Sequence, residues 1–275
     1  MKSCVSPLGS SRTLCASQTL SRRLFPSRGG LPAGLMARED SLLAAGGAWR
    51  ILRRMELLHT AYVPAGDGPF PTILALHGWG ASAQDLLGLA PFLHGGKALV
   101  VCPQGPVEFE IQPGYYGHGW FPIRTGRPPD PSDFARGAAL LRGFLDALLL
   151  KYPVNRRKLV VLGFSQGGVM AYDLVLRDPE RFAGLVALSS WLPQELAASV
   201  GRRPELAQLP VFVAHGSEDP MLPVAMGQAS RDGLIKLGVQ LVYREYPMGH
   251  EVRPELLQDV AEWLESKVLS PIQLV

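Results

Sequence analysis

Short apolar runs alternate with amphipathic helical patterns from about residue 50 onward, and this alternation narrows the possible folds more than any other feature. The runs at 72–76, 159–162 and 185–188 are continuously apolar, as expected for strands that are covered on both faces. Further β-rich runs lie at 57–63, 97–102, 211–214 and 240–243. Strands separated by helices predict a single α/β domain over residues 51–275, with a mostly parallel central sheet and helices on both of its faces.

Amphipathic helices are predicted where apolar residues recur at helical spacing. One helix is expected to begin at Ser82, whose hydroxyl can cap it, with Asp85 in its first turn. A second is expected from Ser132, and a third near the end of the chain. Their apolar stripes comprise Phe134, Ala138, Leu141, Leu145 and Leu148 in the second helix, and Leu256, Val260, Trp263 and Leu264 in the last. Each stripe predicts a helix that packs one face against the sheet.

Residues 104–131 interrupt this rhythm with an irregular, aromatic segment that directly follows a predicted strand. Long loops in compact domains are commonly functional, and ligands of open α/β sheets bind at the carboxyl ends of strands. The aromatic residues that either line an acyl pocket or pack the loops are Trp79, Tyr115, Tyr116, Trp120, Phe121 and Trp191. Among them, Trp120, Phe121 and Trp191 are the predicted substrate-binding residues.

The first part of the chain has a different composition from the rest. Residues 1–38 contain six basic residues and no acidic one, so the net charge of +3 combines +6 in this segment with −3 in the remainder. This composition predicts a disordered leader over residues 1–50, which is either an organelle transit peptide or sequence upstream of a true start at Met36. The protein is accordingly expected in the cytoplasm, or in a plastid or mitochondrion if the leader is a real transit peptide.

Composition also excludes several classes of protein. A hydrophobic share of 47% excludes general disorder, and no run of about 20 uninterrupted apolar residues predicts a membrane-spanning helix. The slightly acidic body does not suit nucleic-acid binding. Cys102, the one cysteine outside the leader, lies in an apolar run and is expected to be a buried strand residue, and no ligand-spaced Cys/His set predicts a metal site.

The chemistry is indicated first by Gly163-Phe-Ser165-Gln-Gly167, which follows an apolar strand and precedes a helical pattern. In this context a serine occupies a sharp strand-to-helix turn that projects its hydroxyl above the sheet. Glycines on both sides are needed because a Cβ would collide with the neighbouring strand and helix. The pattern therefore predicts Ser165 as a nucleophile at the N-terminus of a helix, where developing negative charge is favoured.

A serine nucleophile needs a base, and the base needs an orienting acid. His250 lies between the last predicted strand and the last predicted helix, and Asp219 follows the strand at 211–214. The order Ser165, Asp219, His250 is the chain order of α/β-hydrolases. Glu218 is the alternative acid, since pattern alone does not separate two adjacent carboxylates.

An oxyanion hole is predicted from His77-Gly-Trp-Gly80, where small residues after a strand let backbone N–H groups face the site. The expected donors are the backbone amides of Trp79 and of Gln166, the residue after the nucleophile. His77 is interpreted as a structural residue that shapes this loop.

The residues resemble the phospholipase/carboxylesterase group of α/β-hydrolases, which includes the acyl-protein thioesterases, over most of residues 55–268. The segments that carry the resemblance are Leu76-His-Gly-Trp-Gly80 with Asp85-Leu86, Trp120-Phe121, Gly163-Phe-Ser-Gln-Gly-Gly168, Leu188-Ser-Ser-Trp-Leu-Pro193, His215-Gly-Ser-Glu-Asp219 through Pro223, and Gly249-His250. Two features depart from the pattern. The loop after Gly78 is closer to that of small bacterial esterases, and Ser190 stands where glycine is usual.

The resemblance implies a serine hydrolase of the α/β-hydrolase fold that cleaves carboxylic esters or thioesters without a cofactor, with Ser165, Asp219 and His250 as its triad. The predicted partner is a small acyl ester or thioester, with no nucleic acid, no metal and no integral membrane association. The sequence does not determine the oligomeric state. Two alternatives remain at this point: a hydrolase-fold receptor with little or no turnover, and a small serine peptidase.

Overall fold

A computed structural model describes residues 57–124 and 129–269 of the 275-residue chain. The leader predicted over residues 1–50 lies outside the described residues. No helix in the described ranges is both long and apolar enough to cross a membrane.

The core of the described domain is a seven-stranded sheet. Only the first strand runs antiparallel to its neighbour among the strands of this sheet, which confirms the expected mostly parallel arrangement. The strands are β1 (His59–Tyr62), β2 (Phe70–Leu76), β3 (Leu99–Pro103), β4 (Val107–Gln112), β5 (Tyr115–Gly119), β6 (Val154–Phe164), β7 (Gly184–Leu188), β8 (Pro210–Gly216) and β9 (Gln240–Tyr246). In the seven-stranded sheet they lie in the order β1-β3-β2-β6-β7-β8-β9, and β4 pairs with β5 separately.

Helices cover both faces of this sheet, because adjacent residues of each buried strand point to opposite sides. Leu74 faces one apolar layer and Ile73 faces the other. The first layer is covered by α1 (Pro131–Lys151), α2 (Gln166–Arg177), α3 (Gln194–Val200) and α4 (Val224–Leu237), and the second by α5 (Pro254–Trp263) with the π-helical turn Leu264–Leu269. Helices on both faces were expected, and the buried stripes of α1 and α5 confirm the predicted packing.

The prediction of a helix from Ser82 is wrong. The chain there forms turns and a short 3₁₀ helix at Leu87–Leu89. The hydroxyl of Thr60 donates to the carbonyl of Ala83, the group that would accept the i→i+4 helical bond from the Leu87 N–H. The Leu87 N–H bonds to the Gln84 carbonyl instead, in a 3₁₀ pattern.

The described part of the segment 104–131 is also more regular than expected, because it contains the antiparallel hairpin β4–β5. Apolar residues alternate with polar ones along β4, and Gly114 adopts a φ of 75° in the turn. The Glu110 carboxylate accepts a hydrogen bond from the Gly114 N–H at 2.8 Å. The alternation in Val107-Glu-Phe-Glu-Ile-Gln112 is the signal that could have predicted this strand.

Candidate active site

The predicted nucleophile lies on the turn that joins β6 to α2. Ser165 has a φ of 54° and a ψ of −120°, a backbone conformation that residues other than glycine rarely adopt. The flanking glycines are required, since a Cβ on Gly163 would overlap the Gly167 carbonyl and one on Gly167 would overlap the carbonyl of Leu76. The turn thus places the side chain of Ser165 at the carboxyl edge of the sheet, beside the N-terminus of a helix.

The acid and the base are joined directly. Asp219 Oδ2 lies 2.6 Å from His250 Nδ1, and Asp219 Oδ1 accepts hydrogen bonds from the N–H groups of Met221 and Leu222, both at 2.8 Å. The Asp219 side chain is fully buried, while His250 is slightly exposed. Glu218, the alternative acid, is exposed. The geometry therefore selects Asp219 as the partner of His250 and leaves Nε2 of the ring available for proton transfer.

A ring contact places His250 near the nucleophile. The ring centroids of His250 and Phe164, the residue before Ser165, are 4.9 Å apart. No hydrogen bond joins Ser165 Oγ to His250 within the described ranges. Such bonds are often long before substrate binds, so the missing hydrogen bond does not count against the pair.

Two backbone N–H groups are available beside the nucleophile. In the described residues, neither the Trp79 nor the Gln166 N–H donates to another protein group. The loop that carries Trp79 approaches the nucleophile closely, because a Cβ added at Gly78 would lie 3.3 Å from Ser165 Cβ. The positions suit the two predicted oxyanion donors.

His77 holds this loop from inside the protein. Its Nε2 accepts a hydrogen bond from the Gly105 N–H at 2.9 Å, so the ring proton sits on Nδ1 and is donated to the Gly78 carbonyl at 2.7 Å. Burial lowers the pKa of His77 from 6.5 to about 4, which keeps the ring neutral at physiological pH. The interpretation of His77 as a loop-shaping residue fits these contacts.

The lowered pKa of His77 predicts a loss of stability in acid. As pH falls below 6.5, the unfolded chain binds a proton at this ring before the folded protein does. The contribution of the neutral ring to the free energy of unfolding is therefore lost progressively toward pH 4. We expect wild-type protein to lose about 2 kcal/mol more unfolding free energy than His77→Asn between about pH 7 and pH 5, measured by urea titration. Equal losses in the two proteins would contradict this origin.

The hairpin β4–β5 supports the loop that carries the predicted oxyanion donor Trp79, a role that sequence reasoning missed. The Gly80 N–H donates to the His118 carbonyl and the His118 N–H donates to the Ala81 carbonyl, both at 2.9 Å. The rings of Trp79 and Phe109 stack with their centroids 4.1 Å apart. These contacts fix the backbone that carries the Trp79 N–H, the predicted donor.

The predicted substrate-binding aromatics have different environments. Trp120 and Phe121 are 0% and 1% exposed, and the Gln166 side chain binds their backbone by accepting from the Trp120 N–H and donating to the Phe121 carbonyl. Substrate contact by either ring would require this segment to move, and it remains a prediction. Trp191 is half-buried against the core and remains the more accessible candidate.

His215, which the sequence indicated only as part of a motif, contacts the loop that carries Asp219. Its Nε2 donates to the Leu222 carbonyl at 2.8 Å and lies 3.8 Å from Asp219 Oδ2. The ring occupies space left by Gly227, where a Cβ would lie 2.7 Å from the His215 ring. His215 therefore holds the turn whose N–H groups bind Asp219.

The described residues give little support for a cysteine nucleophile or a metal site. Cys102 is buried, and burial raises the pKa of its thiol to about 12, which makes it a poor nucleophile. Across residues 57–124 and 129–269, no cluster of three or more His, Cys, Asp or Glu side chains is arranged to hold a metal ion.

Comparison with known proteins finds a matching family model and several curated relatives. A family model described as phospholipase/carboxylesterase matches residues 59–268. An acyl-protein thioesterase 1 of Gibberella zeae is 29% identical over 202 residues, covering 70% of this chain and 85% of that protein. A probable carboxylesterase of Arabidopsis thaliana is 26% identical over 208 residues, covering 72% of this chain and 79% of that protein.

Solved structures with the same architecture include a carboxylesterase of Bacillus cereus and acyl-protein thioesterase 2 of Zea mays. The first has a TM-score of 0.65 and 24% identity, covering 79% of this chain and 97% of that one. The second has a TM-score of 0.63 and 24% identity, covering 76% and 98%. These likenesses show the α/β-hydrolase fold.

Proposed function

This chain belongs to the phospholipase/carboxylesterase family and is an esterase/thioesterase-like hydrolase, and we propose that it cleaves small carboxylic esters or thioesters through an acyl-serine intermediate on Ser165. The observation that carries the proposal is the buried hydrogen bond between Asp219 and His250. This bond holds Nδ1 of the His250 ring and so orients the ring for Nε2 to accept a proton. The strained turn at Ser165 supplies the matching nucleophile.

In the acylation step, His250 Nε2 takes the proton from Ser165 Oγ as this oxygen attacks the acyl carbonyl. The carbonyl oxygen becomes negatively charged and is held by the N–H groups of Trp79 and Gln166. Asp219 stabilises the imidazolium that forms. The tetrahedral species then collapses, the bond to the alcohol or thiol breaks, and the leaving group takes the proton from His250.

In the deacylation step, water attacks the acyl-serine with His250 again as the base. The same two N–H groups hold the second oxyanion. Collapse returns the proton to Ser165 Oγ and releases the carboxylic acid. Each step is an acyl transfer in which protein groups move the proton and stabilise the charge.

Turnover and labelling together test the proposal. We expect wild-type protein to hydrolyse p-nitrophenyl butyrate and the corresponding butyryl thioester, and a fluorophosphonate to modify Ser165, as mapped by peptide mass spectrometry. Labelling without turnover would instead support a hydrolase-fold receptor. Faster cleavage of dipeptide amides than of esters would support a peptidase. The absence of both labelling and turnover would reject Ser165 as an active serine.

A further inference from the structure

Ser190 lies two residues after the end of β7 and contacts the turn that carries Ser165. Ser190 is only 1% exposed, and its Oγ donates to the backbone carbonyl of Ser165 at 2.8 Å. The same carbonyl accepts the Gly168 N–H at 2.9 Å.

The carbonyl that Ser190 binds belongs to a functional peptide unit. The Ser165 carbonyl and the Gln166 N–H are the two ends of one planar amide, so a bond that fixes one end also fixes the direction of the other. Donation to the carbonyl oxygen also polarises the amide, which makes its N–H a stronger donor. That N–H is one of the two groups placed to hold the oxyanion.

The packing around Ser190 is matched to this bond. A Cβ on Gly168 would overlap the Ser190 hydroxyl and lie 2.5 Å from Ser190 Cβ, so the second glycine of Gly167-Gly168 leaves the space that Ser190 fills. The neighbouring Ser189 is also buried, but its hydroxyl finds no hydrogen-bond partner in the part of the chain described. The two serines therefore provide a natural comparison.

We propose that Ser190 is a positioning residue, which orients and polarises the Ser165–Gln166 amide and thereby strengthens the oxyanion hole. The inference rests on the proposed serine hydrolase activity. It assigns Ser190 an effect on the transition state and none on the binding of the uncharged substrate.

The test compares Ser190→Ala with the matched control Ser189→Ala in the full-length protein. We expect Ser190→Ala to lower kcat for p-nitrophenyl butyrate by about three- to tenfold with KM unchanged, the size of one lost hydrogen bond. Affinity for butylboronic acid, which forms a tetrahedral adduct on the active serine, should fall by a similar factor. Ser189→Ala should match wild type in kcat, KM and boronate affinity.

The outcomes separate this inference from the proposed function. An active wild type, with Ser190→Ala equal to Ser189→Ala in kcat and boronate affinity, rejects only the role of Ser190. A change confined to KM or to the thermal midpoint also rejects it, as a structural effect. A wild type without turnover or fluorophosphonate labelling rejects the proposed function, and this inference with it. If Ser190→Ala does not fold, Ser190→Gly provides the same comparison.

Discussion

Ser165→Ala is expected to fold like the wild type and to lose ester hydrolysis by a factor on the order of 10⁴ to 10⁶ in kcat. The loss follows because the acyl group has no oxygen to be transferred to, and the remaining groups cannot substitute for a nucleophile. The fold should persist because alanine and serine both carry an unbranched Cβ, so the substitution adds no strain to the turn. The Ser165 hydroxyl, moreover, makes no hydrogen bond within the described residues.

The measurement is initial-rate hydrolysis of p-nitrophenyl butyrate, with circular dichroism and thermal unfolding to establish the folded state. Ser189→Ala serves as the control for deleting a buried hydroxyl near the site, and it should retain wild-type turnover. Wild-type turnover in Ser165→Ala would overturn the assignment of the nucleophile and with it the acyl-serine mechanism.

Sequence reasoning located the main candidates because each follows a strand of a parallel sheet. The carboxyl ends of such strands meet at one edge, so Ser165 after β6, Asp219 after β8 and His250 after β9 are brought to the same side by topology alone. Residue type then assigns each a chemical role. The pattern did not separate Asp219 from Glu218, because only the turn geometry decides which adjacent carboxylate points inward.

The residues that sequence reasoning missed act through contacts between distant segments. The Thr60 hydroxyl takes a carbonyl that the helix expected from Ser82 would need, and no local pattern shows this competition. Similarly, the support that the β4–β5 hairpin gives to the predicted oxyanion loop depends on pairing between Ala81 and His118, which lie 37 positions apart. Such contacts follow from the tertiary fold, and so periodicity and spacing do not predict them.

Asp219→Asn is expected to leave the fold intact and to lower kcat by about 10³- to 10⁴-fold. The reason lies in the hydrogen bonds around the carboxylate. The N–H groups of Met221 and Leu222 both donate to Oδ1, so the oxygen of the introduced carboxamide is retained there and its NH₂ group faces His250. An NH₂ group can only donate to Nδ1, which moves the ring proton to Nε2. The histidine then cannot accept the proton of Ser165.

Glu218→Gln is the matched control, since it makes the same chemical change at the adjacent, exposed carboxylate. We expect it to retain wild-type kcat, because its side chain is not the one bonded to His250. Both variants should be compared in initial-rate assays at the same pH. If Glu218→Gln lost as much activity as Asp219→Asn, the acid would have to be shared between the two carboxylates. If only Glu218→Gln lost activity, the role would pass to Glu218, and the buried bond from Asp219 would be structural.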